Sequence, residues 1–202
     1  MSAAYLAAIT ARRSIYAIAN KSSVPDSKIE EIVKHCVKHC PTSFNIQSSR
    51  VVVLLGEEHT KLWKFISEIS LKGLEGDHKA RVESRMSGHA AGYGSVLFFE
   101  DQAVIDEITV KFPIYTKEFP VWSTNATGML QHAVWTSLSL EGLGASLQHY
   151  GAKPEIAAAI QTTFGLPSTW TSTAIMPFGD IVSPPAEKVF GPVEPRVKVL
   201  KA

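Results

Sequence analysis

The segment from Ser123 to Glu141 constrains the fold more strongly than any other part of the sequence. It is the longest helix candidate, and Met129, Val134 and many small residues make it apolar on nearly all sides. A helix that is apolar all round is buried in a core or an interface, whereas a surface helix carries one apolar stripe. We therefore expect a central helix that ends at Gly142.

Helical and strand patterns alternate along the rest of the chain. An apolar stripe from Ile29 to Cys40 predicts a helix with Asp26 or Ser27 as its cap. Residues 72–87 are polar and contain glycine, so we expect mainly loop there. No repeat or low-complexity linker is visible, and residues 1–202 are interpreted as one domain. Further helices are predicted at 3–11, 62–69, 101–108 and 153–164, and strands at 50–56, 95–100, 145–150 and 169–176.

The composition is typical of a packed globular protein. Hydrophobic residues make up 45% of the chain and charged residues 19%. The formal net charge is +1, so no overall field attracts nucleic acid or an acidic membrane, and we expect neither as a partner. No uncharged stretch is apolar enough to span a bilayer. Any anionic ligand must therefore be held by a local group of basic residues.

The cysteines and the N-terminus bear on the compartment. Cys36 and Cys40 lie one turn apart on one helix face, where a disulfide is unusual, and free thiols are typical of a reducing compartment. Arg12 and Arg13 follow the first apolar run, which is the wrong order for a secretory signal. We expect a cytoplasmic protein, with the nucleus as the alternative and the mitochondrion less favoured.

The C-terminal segment 183–202 contains four prolines and ends in the strand-like run Arg196–Leu200. Proline at this density rules out a helix, and a lone terminal strand is stable only when it joins a sheet. We predict an extended arm that crosses to another subunit. A surface tail is the alternative.

Arg12, Arg13 and Ser14 follow the first predicted helix. Two adjacent guanidiniums and a hydroxyl offer charged, forked donors that suit a phosphate. The alternative is a solvated helix end, where arginine is favourable in any case. Arg196 and Lys198 lie two apart in the terminal run and project to one face. They either complete a phosphate site or guard a charged sheet edge.

Two polar segments suit a flat heteroaromatic ligand. Ser43, Asn45 and Gln47 alternate in a loop between a helix and a strand, and the amides of Asn45 and Gln47 both donate and accept hydrogen bonds. The run Gln148–Tyr150 ends a predicted strand, a place where side chains often meet a ligand. Each pattern alone is equally compatible with an ordinary polar loop or sheet edge.

The run His35–Cys40 places two histidines and two thiols one turn apart. The histidine pair is rotated by about 100° from the thiol pair, and the thiols belong to the apolar stripe, so we expect no metal site. The sequence also lacks the signatures of Rossmann and P-loop proteins, of zinc proteases and of the nucleophile elbow. A cofactor held by dispersed polar residues fits this pattern better.

Six segments, taken in order, resemble the nitroreductase family, in particular its compact fungal and bacterial branch. No single segment is specific, but six in register across nearly the whole chain are. The resemblance implies an α+β fold in which a central, mainly antiparallel sheet is wrapped by helices. It also implies a homodimer with two FMN sites at the interface and exchanged C-terminal arms. The segments are Arg12–Tyr16, Cys40–Gln47, Gly92–Asp101, Gly128–Trp135, Gly142–Tyr150 and Phe190–Val199.

The resemblance assigns residues to the FMN phosphate, to the ribityl chain and to the ring, with no catalytic side chain and no metal. One departure is Tyr16, which stands where larger nitroreductases usually have a basic residue. Another is the stretch Gln148–Tyr150, whose contact to flavin N5 differs from theirs. With Lys198 added, the candidate FMN contacts are Arg12, Arg13, Ser14, Tyr16, Ser43, Asn45, Gln47, Gln148, His149, Tyr150, Arg196 and Lys198.

The implied activity is that of an NAD(P)H-dependent nitroreductase. NADH or NADPH passes hydride to flavin N5 and leaves, and a nitroaromatic or quinone acceptor takes its place in a ping-pong cycle. Because the cofactor carries this chemistry, the protein supplies no strong acid or base. The alternative is a flavin-binding regulatory protein in lipid or stress signalling whose turnover is incidental.

Overall fold

The computed structural model describes residues 2–201, in which five strands form a central antiparallel sheet with seven α-helices around it. The strands are β1 (Ile18–Ala19), β2 (Ser49–Leu55), β3 (Gly94–Asp101), β4 (Leu143–Ala145) and β5 (Trp170–Ile181). The helices are α1 (Ser2–Ala11), α2 (Asp26–His39), α3 (Glu57–Leu71), α4 (Gly76–Ala90), α5 (Gln102–Lys111), α6 (Glu118–Leu140) and α7 (Pro154–Phe164). The strand order is β1-β5-β3-β2, with β4 also paired to β5. The predicted α+β fold class is confirmed.

Strand β3 is the centre of the fold because both of its faces are buried. Val96 and Phe98 belong to a cluster with α2 and α6, whereas Leu97 and Phe99 belong to a cluster with α3, α4 and α7. All four side chains are at most 1% exposed. Side chains alternate along a strand, so an uninterrupted apolar run is what a strand with two covered faces requires.

Helix α6 is the predicted central helix, although it begins at Glu118 rather than at Ser123. Its residues Leu130 and Val134 are buried against the sheet. On the other side Met129 and Leu140 are 46% and 66% exposed in the single chain. The helix therefore covers the sheet with one side and presents apolar side chains on the other.

The loop predicted at residues 72–87 is wrong, because most of this segment is helix α4. Only Met86 and His89 of this helix are buried, and so narrow a stripe is difficult to recognise in a polar sequence. The predicted cap of α2 is also wrong. Pro25 occupies the cap position with extended backbone and no side-chain cap, and Asp26 is the first helical residue.

The strand predicted at residues 145–150 is interrupted by a proline on its neighbour. β4 ends at Ala145, yet the pairing with β5 continues in register to a bridge between Gln148 and Ile175. Between them the Ser146 N–H donates to the Pro177 carbonyl at 3.3 Å. Pro177 has no N–H that could donate to the Ser146 carbonyl, so one backbone hydrogen bond between the two segments is missing.

A buried carboxylate joins α6 to the sheet. Glu100 of β3 is 5% exposed, and its oxygens accept hydrogen bonds from the hydroxyls of Ser49 on β2 and of Ser123 and Thr127 on α6. Within residues 2–201 no cation lies within salt-bridge distance of this carboxylate. Hydroxyl donors therefore replace the water that a buried carboxylate would otherwise need.

Thr127→Val removes one of these donors at nearly constant side-chain volume. We expect it to lower the free energy of unfolding by about 1–3 kcal/mol, because the buried acceptor loses a bond that water does not replace. Thr60→Val is the matched control, since Thr60 is exposed on α3, lines none of the described cavities, and its hydroxyl donates to the Gly56 carbonyl. Urea titrations that found the two variants equally stable would contradict this role of Glu100.

Candidate functional site

The end of α1 borders a cavity of ≈ 550 Å³, here termed the arginine pocket. After Ala11 the chain runs past β4, where Ser14 forms a parallel bridge with Ala145 and the Ile15 N–H donates to the Ala145 carbonyl at 2.9 Å. These contacts fix the segment between helix and sheet. The pocket is lined by Arg12, Arg13, Ser14, Tyr16, Ala17 and residues 183–189.

Both arginines of the pocket lack a carboxylate partner among residues 2–201. The Arg12 guanidinium lies 4.2 Å from the centroid of the Trp135 ring, and its buried Nε has no hydrogen-bond acceptor. Burial, and then the charge of Arg13, lower the pKa of Arg12. Arg13 donates from Nη2 to the Ala186 carbonyl at 2.6 Å. Two neighbouring cations without a counter-ion favour an anion in this pocket.

A second cavity, of ≈ 470 Å³, adjoins the arginine pocket and is termed the Arg85 pocket. Tyr16 lies in the wall of both cavities. Gln148 is fixed by two backbone hydrogen bonds of 2.8 Å with Ile175, and its side-chain amide donates to the Ser146 hydroxyl at 3.0 Å. The lining residues are Tyr16, Arg85, Gly88, His89, Gln148 and Tyr150.

Two side chains of the Arg85 pocket pack against the buried ring of Trp63. The ring centroids of His89 and Tyr150 lie 4.8 Å and 5.8 Å from it. Burial lowers the pKa of His89 to about 4, and the Arg85 charge adds to this effect. Burial raises the pKa of Tyr150, and the Arg85 charge opposes this only in part. At neutral pH His89 is uncharged, so Arg85 is the cation of this pocket.

The polar loop at residues 42–47 has strained backbone. Phe44, Asn45 and Gln47 have φ angles of 54°, 53° and 53°, a region that residues other than glycine rarely occupy. The Gln47 N–H donates to the Thr42 hydroxyl at 3.0 Å, which helps to hold this conformation. Such strain persists where the surroundings enforce it, and it is frequent at binding sites. The Phe44 ring also contacts the rings of Phe112, Tyr115, Phe119 and Trp122.

A single chain does not bring all the predicted site residues together. Asn45 and Gln47 line a different cavity, of ≈ 510 Å³, beside β2 and α2. Ser43 lies in the turn before them and lines none of the described cavities. His149 is exposed, although its neighbours Gln148 and Tyr150 line the Arg85 pocket.

The C-terminal arm lies on the surface of the single chain. The strand predicted at Arg196–Leu200 is not formed there, and a 3-10 turn covers Glu194–Arg196. Arg196 donates from Nε and Nη2 to carbonyls of its own arm, at Pro192 and Gly191, and Lys198 is exposed. Neither basic side chain reaches the arginine pocket of its own chain.

Residues 9–180 match the sequence profile of the nitroreductase family. Two proteins of Saccharomyces cerevisiae are similar along most of their length. HBN1 is 35% identical, with 93% of each chain covered, and the nitroreductase FRM2 is 34% identical, with 92% of each chain covered. The chain belongs to the nitroreductase family. The resemblance of the six sequence segments is thereby confirmed.

Solved nitroreductase structures share this architecture. CinD from Lactococcus lactis, in complex with chloramphenicol, superposes with a TM-score of 0.87 at 37% identity, covering 98% of this chain and 100% of CinD. A nitroreductase with bound FMN from Desulfitobacterium hafniense has the same fold, with a TM-score of 0.73 at 16% identity and complete coverage of both chains. The family supports the general class of oxidoreductase, and the likeness to the FMN-bound protein shows the shared fold.

Three residues at or beside these pockets were not predicted from the sequence. Arg85 and His89 were missed because their helix was predicted as a loop. The spacing of Val82, Met86 and His89 was the available signal, since it places them on one helix face. Trp135 was treated as an ordinary residue of the long helix, although its ring lies under the Arg12 guanidinium.

Within residues 2–201 no helix has the length and apolar character needed to cross a membrane. In the same part of the chain no three His, Cys, Asp or Glu side chains are placed to hold a metal ion. Cys36 and Cys40 are free thiols, and burial raises the pKa of both. Cys36 packs in the core cluster between α2 and α6, as its place in the apolar stripe predicted.

Proposed function

We propose that this nitroreductase is an FMN-dependent enzyme that takes hydride from NADH or NADPH and passes it to nitroaromatic or quinone acceptors. The observation that carries the proposal is the pair of guanidiniums in the arginine pocket, neither of which has a carboxylate within salt-bridge distance among residues 2–201, although Glu187 also lies in the pocket wall. The terminal phosphate of FMN fits them, because it is anionic and offers several acceptor oxygens to forked donors. The buried Arg12 Nε, which has no acceptor of its own, supports this fit.

When bound, FMN supplies the hydride-transfer chemistry, and the protein holds and orients it. Arg12 and Arg13 would bind the phosphate, and the hydroxyl of Ser14, which lines the same pocket, would donate to the same end. In the adjoining pocket the amide of Gln148 and the hydroxyl of Tyr150 face the polar part of the ring. The phosphate and the ring of FMN are thus assigned to two neighbouring cavities, which share Tyr16 in their walls.

We further propose that a second copy of the chain completes each site by contributing its loop at residues 42–47. Exposed apolar residues of α1 and α6 support a dimer. Tyr5, Leu6 and Leu140 are 60%, 58% and 66% exposed, and a groove of ≈ 960 Å³ runs between α1, α2 and α6. A large apolar surface of this kind is typical of an interface.

The C-terminal arm also suits an exchange between subunits. Val197, Val199 and Leu200 are 60%, 69% and 81% exposed, although their pattern favours a strand. β2 lies at the edge of the sheet, so one side of its backbone has no strand partner among residues 2–201. An edge strand is a template for an extended segment from another chain. The arm of a partner is the segment that fits this role.

The aromatic cluster around Phe44 supports flat aromatic acceptors. Phe44 is 54% exposed and stacks on Trp122 at 6.1 Å between ring centroids. If the partner's loop lies at the flavin, it brings this apolar wall with it. CinD, which is 37% identical, has been solved in complex with chloramphenicol and with 4-nitrophenol, and these aromatic ligands support acceptors of that class.

The activity is tested by loading the protein with FMN and following NADH and NADPH oxidation with several nitroaromatics and quinones. The proposal predicts turnover that depends on FMN and on the acceptor, with ping-pong kinetics. Negligible oxidation of both nucleotides with every acceptor, by protein that holds FMN at full occupancy, would contradict the enzyme and favour a flavin-binding regulator.

Truncation after Phe190 removes residues 191–202 but keeps the wall of the arginine pocket at 183–189. We expect a weaker dimer and a lower affinity for FMN together, because the arm joins the two chains. Light scattering and FMN titration measure the two effects. An unchanged dimer with unchanged FMN affinity would show that the segment is a surface tail.

A further inference from the structure

Trp135 of α6 contacts Arg12, although it has no part in the proposed FMN contacts. The guanidinium carbon of Arg12 lies 4.2 Å from the centroid of the Trp135 ring, well inside the ~6 Å over which a ring face attracts a cation. The ring also packs against the core cluster between α2, α6 and the sheet. Because the core holds the ring, the ring fixes the place of the arginine.

The elements around Arg12 offer it no carboxylate. Helix α1 contains no acidic residue, and the only one in α6 is Glu118, at the opposite end of the helix from Trp135. Glu141, which follows α6, is exposed and forms no ion pair among residues 2–201. Burial and the charge of Arg13 lower the pKa of Arg12, so both disfavour its charged form. The ring face opposes this effect, because its partial negative charge attracts the cation.

A ring face holds a guanidinium differently from a carboxylate. A carboxylate would accept N–H bonds from Arg12 and cancel its charge. The Trp135 ring attracts the charge but leaves the pair of side chains positively charged, and the buried Arg12 Nε keeps no acceptor within the described part of the chain. Arg12 is therefore fixed in place while its charge and its donors stay available for an anion.

The indole at position 135 carries a cost that a simpler ring would avoid. Its Nε1–H is buried and has no acceptor among residues 2–201, an arrangement that lowers stability. A phenylalanine ring would pack against the core without such a donor, yet indole is the side-chain ring that attracts a cation most strongly. The unpaired donor is therefore consistent with a role for the face of the Trp135 ring and not for its N–H.

We infer that Trp135 is a positioning residue whose ring face holds the Arg12 guanidinium in the arginine pocket, ready for the phosphate of FMN. Arg13 is held differently, since its Nη2 donates to the Ala186 carbonyl. A side chain that is ordered before the ligand arrives loses less conformational entropy on binding, which raises the affinity. Trp135 has this role only if the pocket takes the phosphate, so the inference rests on the proposed function.

The test compares FMN with riboflavin, which has the same ring and ribityl chain but no phosphate. We expect Trp135→Leu to lower the affinity for FMN about fivefold and to leave that for riboflavin unchanged, because a partly buried cation–π contact is lost. Trp135→Phe retains part of the preference for FMN. Phe164→Leu is the matched control, since it removes a contact with Lys61 at 5.6 Å from a ring that lines none of the described cavities.

Two further proteins separate the contact with Arg12 from a general effect on the fold. In an Arg12→Gln background, Trp135→Leu has no further effect on the affinity for FMN. Site-specific replacement of Trp135 by tetrafluorotryptophan keeps the shape of the ring but withdraws the negative charge from its face. We expect this protein to lose the preference for FMN as Trp135→Leu does, and it gives the result even if the leucine variant folds poorly.

Three results would show that the ring face does not position Arg12. They are equal losses of FMN and riboflavin affinity, a loss that persists in the Arg12→Gln background, and a full preference for FMN in the fluorinated protein. Wild-type protein that binds no FMN would instead contradict the proposed function itself.

Discussion

Replacing Arg12 and Arg13 together by Gln lowers the affinity for FMN by about 100-fold or more, since charged hydrogen bonds of ~1.5–3 kcal/mol are lost at each residue. Both guanidiniums line the arginine pocket with no carboxylate partner among residues 2–201, and their removal leaves Lys188 as the remaining cation in the pocket wall. Glutamine keeps part of the aliphatic stem and removes the guanidinium, which in Arg12 lies over the Trp135 ring. Fluorescence titration with FMN measures the change.

The matched control removes two positive charges at a distance from the pocket. Lys64→Gln with Arg81→Gln changes the net charge equally on the exposed faces of α3 and α4. We expect unchanged FMN affinity for this pair. An arginine double variant that purifies with FMN at full occupancy would remove the phosphate assignment.

Acidification from pH 6.5 to pH 4 destabilises the fold through two buried histidines. His59 and His89 are 1% and 6% exposed, and burial lowers the pKa of each to about 4. The unfolded chain binds these protons near pH 6.5 and the folded chain does not. The stabilisation is therefore complete above pH 6.5 and is lost as the pH falls towards 4, by about 3 kcal/mol for each histidine.

Two such losses are comparable with the whole stability of a typical domain. His89→Gln removes one titrating group, so it lowers the slope of unfolding free energy against pH in this window even where it lowers stability at pH 7. His78→Gln is the control, because His78 is exposed on the same helix. Equal slopes for wild type, His89→Gln and His78→Gln in urea titrations would contradict this account.

The elements that follow a strict apolar period were predictable from the sequence. The apolar stripe of α2 predicts that one face of the helix is buried. The uninterrupted apolar run of β3 predicts that both faces of the strand are buried. Helix α4 was not predictable in the same way, because it rests on the core through few residues. The end of β4 depends on Pro177 of β5, and the sequence around β4 does not indicate that this residue is its partner.

Only part of the candidate site could be predicted from the sequence, because some of its residues are brought together by tertiary packing alone. Arg12 and Arg13 are adjacent in sequence, so their chemistry is visible without a structure. Arg85 reaches the neighbouring pocket only because α4 lies beside the loop after α1, a contact set by tertiary packing. The assignment of Asn45 and Gln47 to the flavin came from family resemblance, and in the single chain they lie in another cavity.

Two chains with complementary defects test the central claim most directly, that each FMN site is built from both subunits. One chain carries Arg12→Gln with Arg13→Gln, and the other carries Asn45→Ala with Gln47→Ala. Each variant alone forms dimers with two defective sites. In a heterodimer isolated with two different tags, one site combines the intact halves and the other combines both defects.

FMN content is then measured by absorbance for the two variant homodimers, the heterodimer and the wild type. The account predicts that both homodimers are nearly colourless and that the heterodimer regains about half of the wild-type FMN, because a two-fold dimer has two equivalent sites. A heterodimer as empty as its parents would contradict it, since each site would then lie within one chain.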